Sequence, residues 1–142
     1  MLFSAHSLPV RIRSWQDCYE VQLTASCAAV TERAGLRQGW RFVWQSAGST
    51  GEPWLGPDIL DYLEILRAER VRQVLSVPIG FVCDHLEVLY DIDREAVAKA
   101  AALGMTLRRT RMPNATPELI AVLDDVVADA ERGEGAIAPV GA

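Results

Sequence analysis

His6 and the carboxylates Glu87, Asp91 and Glu95 are the residues whose types and spacing point most directly to chemistry. An imidazole facing a carboxylate makes a borderline-hard site for a divalent transition metal, and either group accepts a proton near neutral pH. Glu87, Asp91 and Glu95 follow one another at four-residue intervals, which on a helix lines their carboxylates along one face for about two turns. Taken alone, a histidine after a strand is ordinarily a hydrogen-bonded structural residue, and an acidic stripe ordinarily a solvated face. What sets these apart is the position the surrounding elements give them.

The run Met1-Leu2-Phe3-Ser4-Ala5 reads as a strand that stops at His6-Ser7-Leu8-Pro9, because Pro9 cannot continue a central strand. His6 therefore falls at a strand's carboxyl end. Apolar spacing predicts a helix from about Ser14 to Leu36, stopped near Gly35, and then a strand over residues 40–46. Residues 47–57 carry three glycines and two prolines and must form a loop, with Asp58 placed to cap a helix running to about Ala68. A third strand, Val74 to Ile79, breaks at Gly80 and leads into a long helix from about Asp84 to Leu103, with Gly104 just beyond. A short strand from Met105 to Thr110 and a helix from about Thr116 to Arg132 complete residues 1–132, and a flexible tail is expected over residues 133–142.

Four strands alternating with four helices call for a doubly wound α/β domain: a four-stranded parallel sheet with helices on both faces. Ligands of such sheets bind beyond the carboxyl ends of the strands. There His6, the 47–57 loop and the turn from Gly80 to Asp84 would gather, with Glu87 facing His6 across the cleft.

Composition narrows the classes. The chain has 142 residues, enough for one domain with a core, and half of them are hydrophobic. Its net charge of −5 and lack of a Lys/Arg cluster give no footprint for gripping nucleic acid or an anionic membrane. No apolar run reaches the roughly 20 residues that span a bilayer, and no secretory signal opens the sequence, so a cytoplasmic location is expected. Cys18, Cys27 and Cys83 match neither a disulfide framework nor a four-thiolate cluster and are expected to be free thiols, without an iron–sulfur cluster.

The strings Phe3-Ser4-Ala5-His6-Ser7-Leu8-Pro9, Trp44-Gln45-Ser46, Pro53-Trp54-Leu55-Gly56-Pro57-Asp58 and Pro78-Ile79-Gly80-Phe81-Val82-Cys83-Asp84-His85-Leu86-Glu87-Val88-Leu89-Tyr90-Asp91 resemble the C-terminal half of ferrochelatases, in order and at matching separations. The likeness continues through Met112-Pro113-Asn114 to about Val127. The loop Gln45-Ser46-Ala47-Gly48-Ser49-Thr50 is most similar to the enzymes of Gram-positive type bacteria, which metallate coproporphyrin III in place of protoporphyrin IX. The resemblance implies ferrous iron and a porphyrin as substrates and no tightly bound cofactor. It places His6 on one face of the macrocycle with Glu87 as its partner, either of them ligand or proton acceptor, and Asp91 and Glu95 as an acidic series leading away. Ser46 and Trp54 would border the porphyrin, Trp54 alternatively serving as a loop anchor in the domain's own core. His85 is expected to serve local structure and Cys83 to pack.

The same resemblance implies that the half which supplies much of the porphyrin-gripping surface is missing, and Met1 falls where the family has an apolar strand residue. A truncated reading frame, a split gene or an incomplete gene model is therefore expected. Three arrangements follow: a chelatase half completed by a second chain, a homodimer like the short cobaltochelatases, or a non-catalytic domain binding a divalent metal or tetrapyrrole. An apolar face left by an absent domain should make the lone chain prone to association.

Overall fold

Parallel strands at the centre of an α/β sheet are covered on both faces and so read as continuous apolar runs, and the Leu2–His6 strand does so: its first four residues are fully buried. A computed structural model describes residues 1–36 and 39–133; the tail expected over 133–142 lies, from residue 134 on, outside the described residues. The strands are β1 (Leu2–His6), β2 (Arg41–Gln45), β3 (Gln73–Val77) and β4 (Thr106–Arg109), all parallel, in the order β2-β1-β3-β4. The chain moves outward from β1 to β2 and then recrosses to β3, so the topological switch lies between β1 and β3. A crevice for ligands is expected above that point.

On one face, α2 (Ile59–Ala68) and the helix that follows β3 bury Leu63, Ile92, Ala96 and Ala100 against Leu2, Val43, Val74 and Leu107. On the other, a single 3-10 segment (Val10–Trp15) and α1 (Tyr19–Arg33) cover β1 and β2 through Ile12, Leu23, Trp44 and Leu55. This second layer does not extend over β3 and β4, where Leu75 and Arg108 are exposed. The last helix, α4 (Pro117–Glu131), buries no residue at all.

The expected helix from Ser14 to Leu36 is two elements. Gln16 takes a left-handed backbone (φ 55°), and the Asp17 side chain accepts a hydrogen bond from the Tyr19 N–H at 2.7 Å, which starts α1 afresh. Its end is as expected: Gly35 adopts φ +68° and the Leu36 N–H bonds the Thr31 carbonyl at 2.8 Å.

The helix after β3 also differs from a plain α-helix. Helical backbone begins at Leu86, widens into π turns over Val88–Ala96 and closes as a regular segment, α3 (Val97–Ala102). The cause is legible in its buried residues, Val88, Ile92, Ala96 and Ala100, which recur at a strict four-residue period. On a helix of roughly 3.6 residues per turn each such step overruns by about 40°, and the row would rotate off the sheet. Wider turns hold it in line, and the Glu87, Asp91, Glu95 row with it.

The three cysteines are free. Cys27 lies on the buried side of α1, and burial pushes its thiol up to about 11. Cys83 is exposed, contrary to the expectation that it packs, because the turn after Gly80 bends its segment outward from the sheet. No helix among the described residues is long and apolar enough to cross a membrane.

Candidate functional site

The end of β1 is pinned from several directions. His6 pairs with Gln45, the Ser7 N–H donates to the Gln45 carbonyl at 2.7 Å, the Ser7 hydroxyl donates to the Leu55 carbonyl at 2.8 Å, and the Tyr19 hydroxyl donates to the His6 carbonyl at 3.1 Å. The backbone that carries His6 thus belongs to the rigid sheet while its side chain stands half-buried at the edge.

Gly80 brings the opposite wall within reach. Its N–H bonds the Ser4 carbonyl at 3.1 Å, and a Cβ there would lie 2.5 Å from the Ala5 Cβ, so only glycine lets the loop after β3 cross directly beside His6. From that crossing the helix starts, and Glu87 in its first turn places Oε1 3.5 Å from His6 Nε2. His6 Nδ1 meets the Ser7 carbonyl oxygen. A carbonyl only accepts, so Nδ1 is the side of the ring that carries a proton, and whenever the ring is neutral Nε2 presents a lone pair. That lone pair and a carboxylate then face each other with nothing but acceptors between them. The arrangement is completed by a proton or by a cation.

Asp91 lies one step further along the same face, where the Ser46 hydroxyl donates to its Oδ2. Ser46 leaves β2 in a left-handed conformation (φ 62°), which turns its side chain across the sheet edge toward that carboxylate. Glu95 is exposed at the far end of the row. Among the described residues, no three His, Cys, Asp or Glu side chains gather closely enough to hold a metal ion. His6 and Glu87 face each other as a pair at the carboxyl edge of the sheet, with Asp91 and Glu95 following along the helix.

Trp54 is half-buried in the 47–57 loop, its ring centroid 6.4 Å from that of His6. Its indole N–H donates to the Thr50 hydroxyl at 3.0 Å, and it lies over Gly48, where a Cβ would come within 2.5 Å of the ring. The loop folds around Trp54 while one side of the ring stays toward His6. On the helix side Leu86, Leu89 and Tyr90 are exposed, Leu86 to 79%. Exposed apolar side chains thus lie on the same helix as Glu87, next to the polar pair. The His85 ring lies tilted against Phe81, their centroids 4.5 Å apart and their planes at 56°.

Two features escaped sequence reasoning. The first is Arg109, at the end of β4, whose guanidinium grips Asp93 through two bonds of 2.8 Å and reaches Asp84 Oδ1 at 2.9 Å. Asn114 holds Asp84 from the other side, accepting from its N–H and donating to its carboxylate. These contacts brace the helix before and after Glu87. The second is the setting of Asp58: it caps α2 as expected, accepting the Leu60 N–H at 2.8 Å, but it is also partly buried and close to Asp91. Burial pushes its carboxyl above the usual value, and repulsion from Asp61 and Asp91 adds to this against the Leu60 bond.

Because the folded state holds the Asp58 proton more tightly than the unfolded state, ionised Asp58 opposes folding above pH 3.8. Asp58→Asn keeps the cap and removes the charge. It is expected to raise stability at pH 7 by roughly 0.5 kcal/mol, a gain that fades as pH falls toward the carboxylate range, whereas Asp58→Ala loses about 1 kcal/mol of capping. Urea midpoints at pH 7 and pH 4 check both.

The sequence profile of ferrochelatases matches residues 1–131. The chain belongs to the ferrochelatase family. A ferrochelatase of Herpetosiphon aurantiacus is 53% identical over 127 residues, 89% of this chain and 41% of the relative. The coproporphyrin III ferrochelatases of Geobacillus sp. and Bacillus subtilis are each 44% identical over 128 residues, again 89% of this chain and 41% of theirs. The chain therefore spans about two fifths of the length of the curated relatives it matches.

Proposed function

We propose that this chain is one half of a porphyrin metallation site, inserting ferrous iron into coproporphyrin III with loss of two pyrrole protons, the other half being the part of the relatives that it does not match. The observation that carries this reading is the His6 Nε2–Glu87 Oε1 pair, 3.5 Å apart at the open carboxyl edge of the sheet. Metallation needs a group to relieve the ion of its water and groups to receive two protons. An imidazole lone pair and a carboxylate provide two acceptors, each also a competent ligand for a divalent cation. Two ligands hold an ion loosely enough to give it up, which suits iron as a substrate passing through and not as a resident cofactor.

A macrocycle is flat and apolar at its centre, and the exposed Leu86, Leu89 and Tyr90 with the ring of Trp54 offer it a matching surface. Ser46 and Trp54 are assigned to that contact. The choice of coproporphyrin III rests on the Gln45–Thr50 loop and on the substrate named for the Geobacillus and Bacillus relatives. We place the protein in the cytoplasm.

The test is anaerobic ferrous insertion followed by the porphyrin-to-haem absorbance change, with the chain supplied with the remaining part of a relative. Turnover with coproporphyrin III exceeding that with protoporphyrin IX is the expected result, and a folded complex without turnover contradicts the reading. Asp91 and Glu95 are assigned to hand the ion inward. Asp91→Ala with Glu95→Ala is expected to raise the ferrous KM roughly tenfold with a smaller change in kcat, the cost of losing two charge-assisted contacts. An unchanged metal dependence would remove the relay.

A further inference from the structure

A porphyrin is apolar at its centre and carries carboxylates at its rim, and the row Glu87, Asp91, Glu95 beside the site repels such a rim. Cations at the same edge of the sheet are therefore the groups to weigh. Arg11 and Arg13 follow β1, but each is paired with a carboxylate, Glu52 at 3.0 Å and Glu20 at 2.8 Å. At the end of β4 the Arg109 guanidinium is taken up by Asp84 and Asp93. Arg111, two residues on, is exposed and has no ion-pair or hydrogen-bond partner among the described residues.

An exposed arginine is ordinarily a solvated surface charge, and what sets Arg111 apart is its setting. The backbone is fixed on both sides of it. The Thr110 N–H bonds the Ser76 carbonyl at 3.0 Å, Met112 is buried, and the Asn114 N–H bonds the Val82 carbonyl at 2.8 Å. Arg111 lines an open cavity of about 660 Å³ together with Asp84, Arg109, Asn114 and Thr116. The carboxylate in that lining is already satisfied: Asp84 Oδ1 accepts from Arg109 at 2.9 Å, and Oδ2 from the Asn114 amide at 2.9 Å. The Thr116 hydroxyl accepts the Leu119 N–H at 3.4 Å and keeps its own O–H to donate. The lining therefore offers an uncompensated guanidinium and a hydroxyl donor, which is the chemistry that receives a carboxylate.

The segment from Val82 to Glu87 joins this cavity to the site. At one end the Val82 carbonyl holds Asn114, at the other Glu87 meets His6, and the side chains of Val82 and Leu86 are exposed along it. A flat apolar ring lying on Leu86 and Val82, with its centre toward His6, turns its rim toward Arg111. We propose that Arg111 is a substrate-binding residue that receives one of the macrocycle's peripheral carboxylates in this cavity. The inference rests on the reading of this chain as one half of a porphyrin metallation site.

The test uses the chain supplied with the remaining part of a relative and compares wild type with Arg111→Gln, Arg111→Lys and Arg33→Gln. The last removes the same charge from an exposed position at the end of α1. Two quantities are read: the dissociation constant for coproporphyrin III, by porphyrin fluorescence without metal, and the porphyrin KM in anaerobic ferrous insertion. Arg111→Gln should raise both roughly tenfold, the weight of one charge-assisted bond at an exposed site, with kcat and the ferrous KM unchanged. Arg111→Lys should recover part of the loss, and Arg33→Gln should cost nothing. Rising salt should weaken wild-type binding and close the gap to Arg111→Gln. Because the side chain has no partner to lose, the thermal transition of the isolated chain should not move. Unchanged porphyrin affinity in Arg111→Gln, an equal loss in Arg33→Gln, or a loss confined to kcat or the ferrous KM would each overturn the proposal. Metallation with an unchanged porphyrin KM in Arg111→Gln removes the contact and leaves the chelatase reading. Porphyrin binding that depends on Arg111 without metallation does the reverse, and a wild-type complex that binds no porphyrin removes both.

Discussion

His6→Ala is expected to lower ferrous insertion by the completed enzyme by roughly 10²–10⁴-fold, the range associated with removing a positioned acid–base group. The loss falls on chemistry and not on folding. His6 is held through its backbone, by Gln45, by the Tyr19 hydroxyl and by the Ser7 bonds on either side, none of which the substitution touches. Its side chain is only partly buried, so the isolated chain should keep its urea midpoint. Imidazole added at millimolar concentration should restore part of the turnover, because the space it would occupy opens to the cleft. A His6→Ala enzyme with wild-type turnover would mean that Glu87 acts without it.

The second large effect is on stability. Arg109→Met removes the fork on Asp93 and the contact to Asp84, and two hydrogen bonds from a charged donor to one carboxylate are worth about 1.5–3 kcal/mol. The Arg109 side chain is 12% exposed, so solvent does not replace it readily. The pH dependence has a definite sign. The Asn114 amide, and after it Arg109, hold the Asp84 carboxyl below its ordinary value of 3.8 against the effect of burial. A carboxyl lowered on folding stabilises the fold above its unfolded value and loses that contribution as pH falls through the folded value. The gap between wild type and Arg109→Met should therefore be full at pH 7 and narrow below pH 3.8. Urea unfolding across that range measures it, and a gap independent of pH would show that Asp84 is not coupled to Arg109. Since the brace flanks Glu87, the variant should also raise the ferrous KM at temperatures where it remains folded.

The four parallel strands, the position of His6 and its meeting with Glu87 were legible because each rests on a local signal: Pro9 ending a strand, Gly80 breaking another, Asp58 capping a helix, Gly35 and Gly104 closing two. Their placement follows once a parallel sheet is accepted, since its carboxyl edge is shared. The π turns were hidden because a four-residue period of buried side chains reads as helical whichever way the helix winds to keep it on the sheet. The division of the first helix was hidden because Asp17 acts through a side-chain bond that composition does not reveal. Arg109 carries no signal of its own in the sequence; its role depends on Asp84 and Asp93 arriving from another element. The exposure of α4 could not be foreseen, since its apolar spacing is that of any helix packed on a sheet, and only the fold shows that none of its residues is buried.

The measurement that bears most directly on the central claim is a double-mutant cycle on ferrous insertion into coproporphyrin III, comparing wild type, His6→Ala, Glu87→Gln and the double variant in the completed enzyme. If the two residues act as one station, each single substitution removes most of the turnover and the double variant is little worse than either. Strictly multiplicative losses, or a double variant that still turns over at the wild-type rate, would mean that the pair 3.5 Å apart at the sheet edge is not where iron meets the porphyrin.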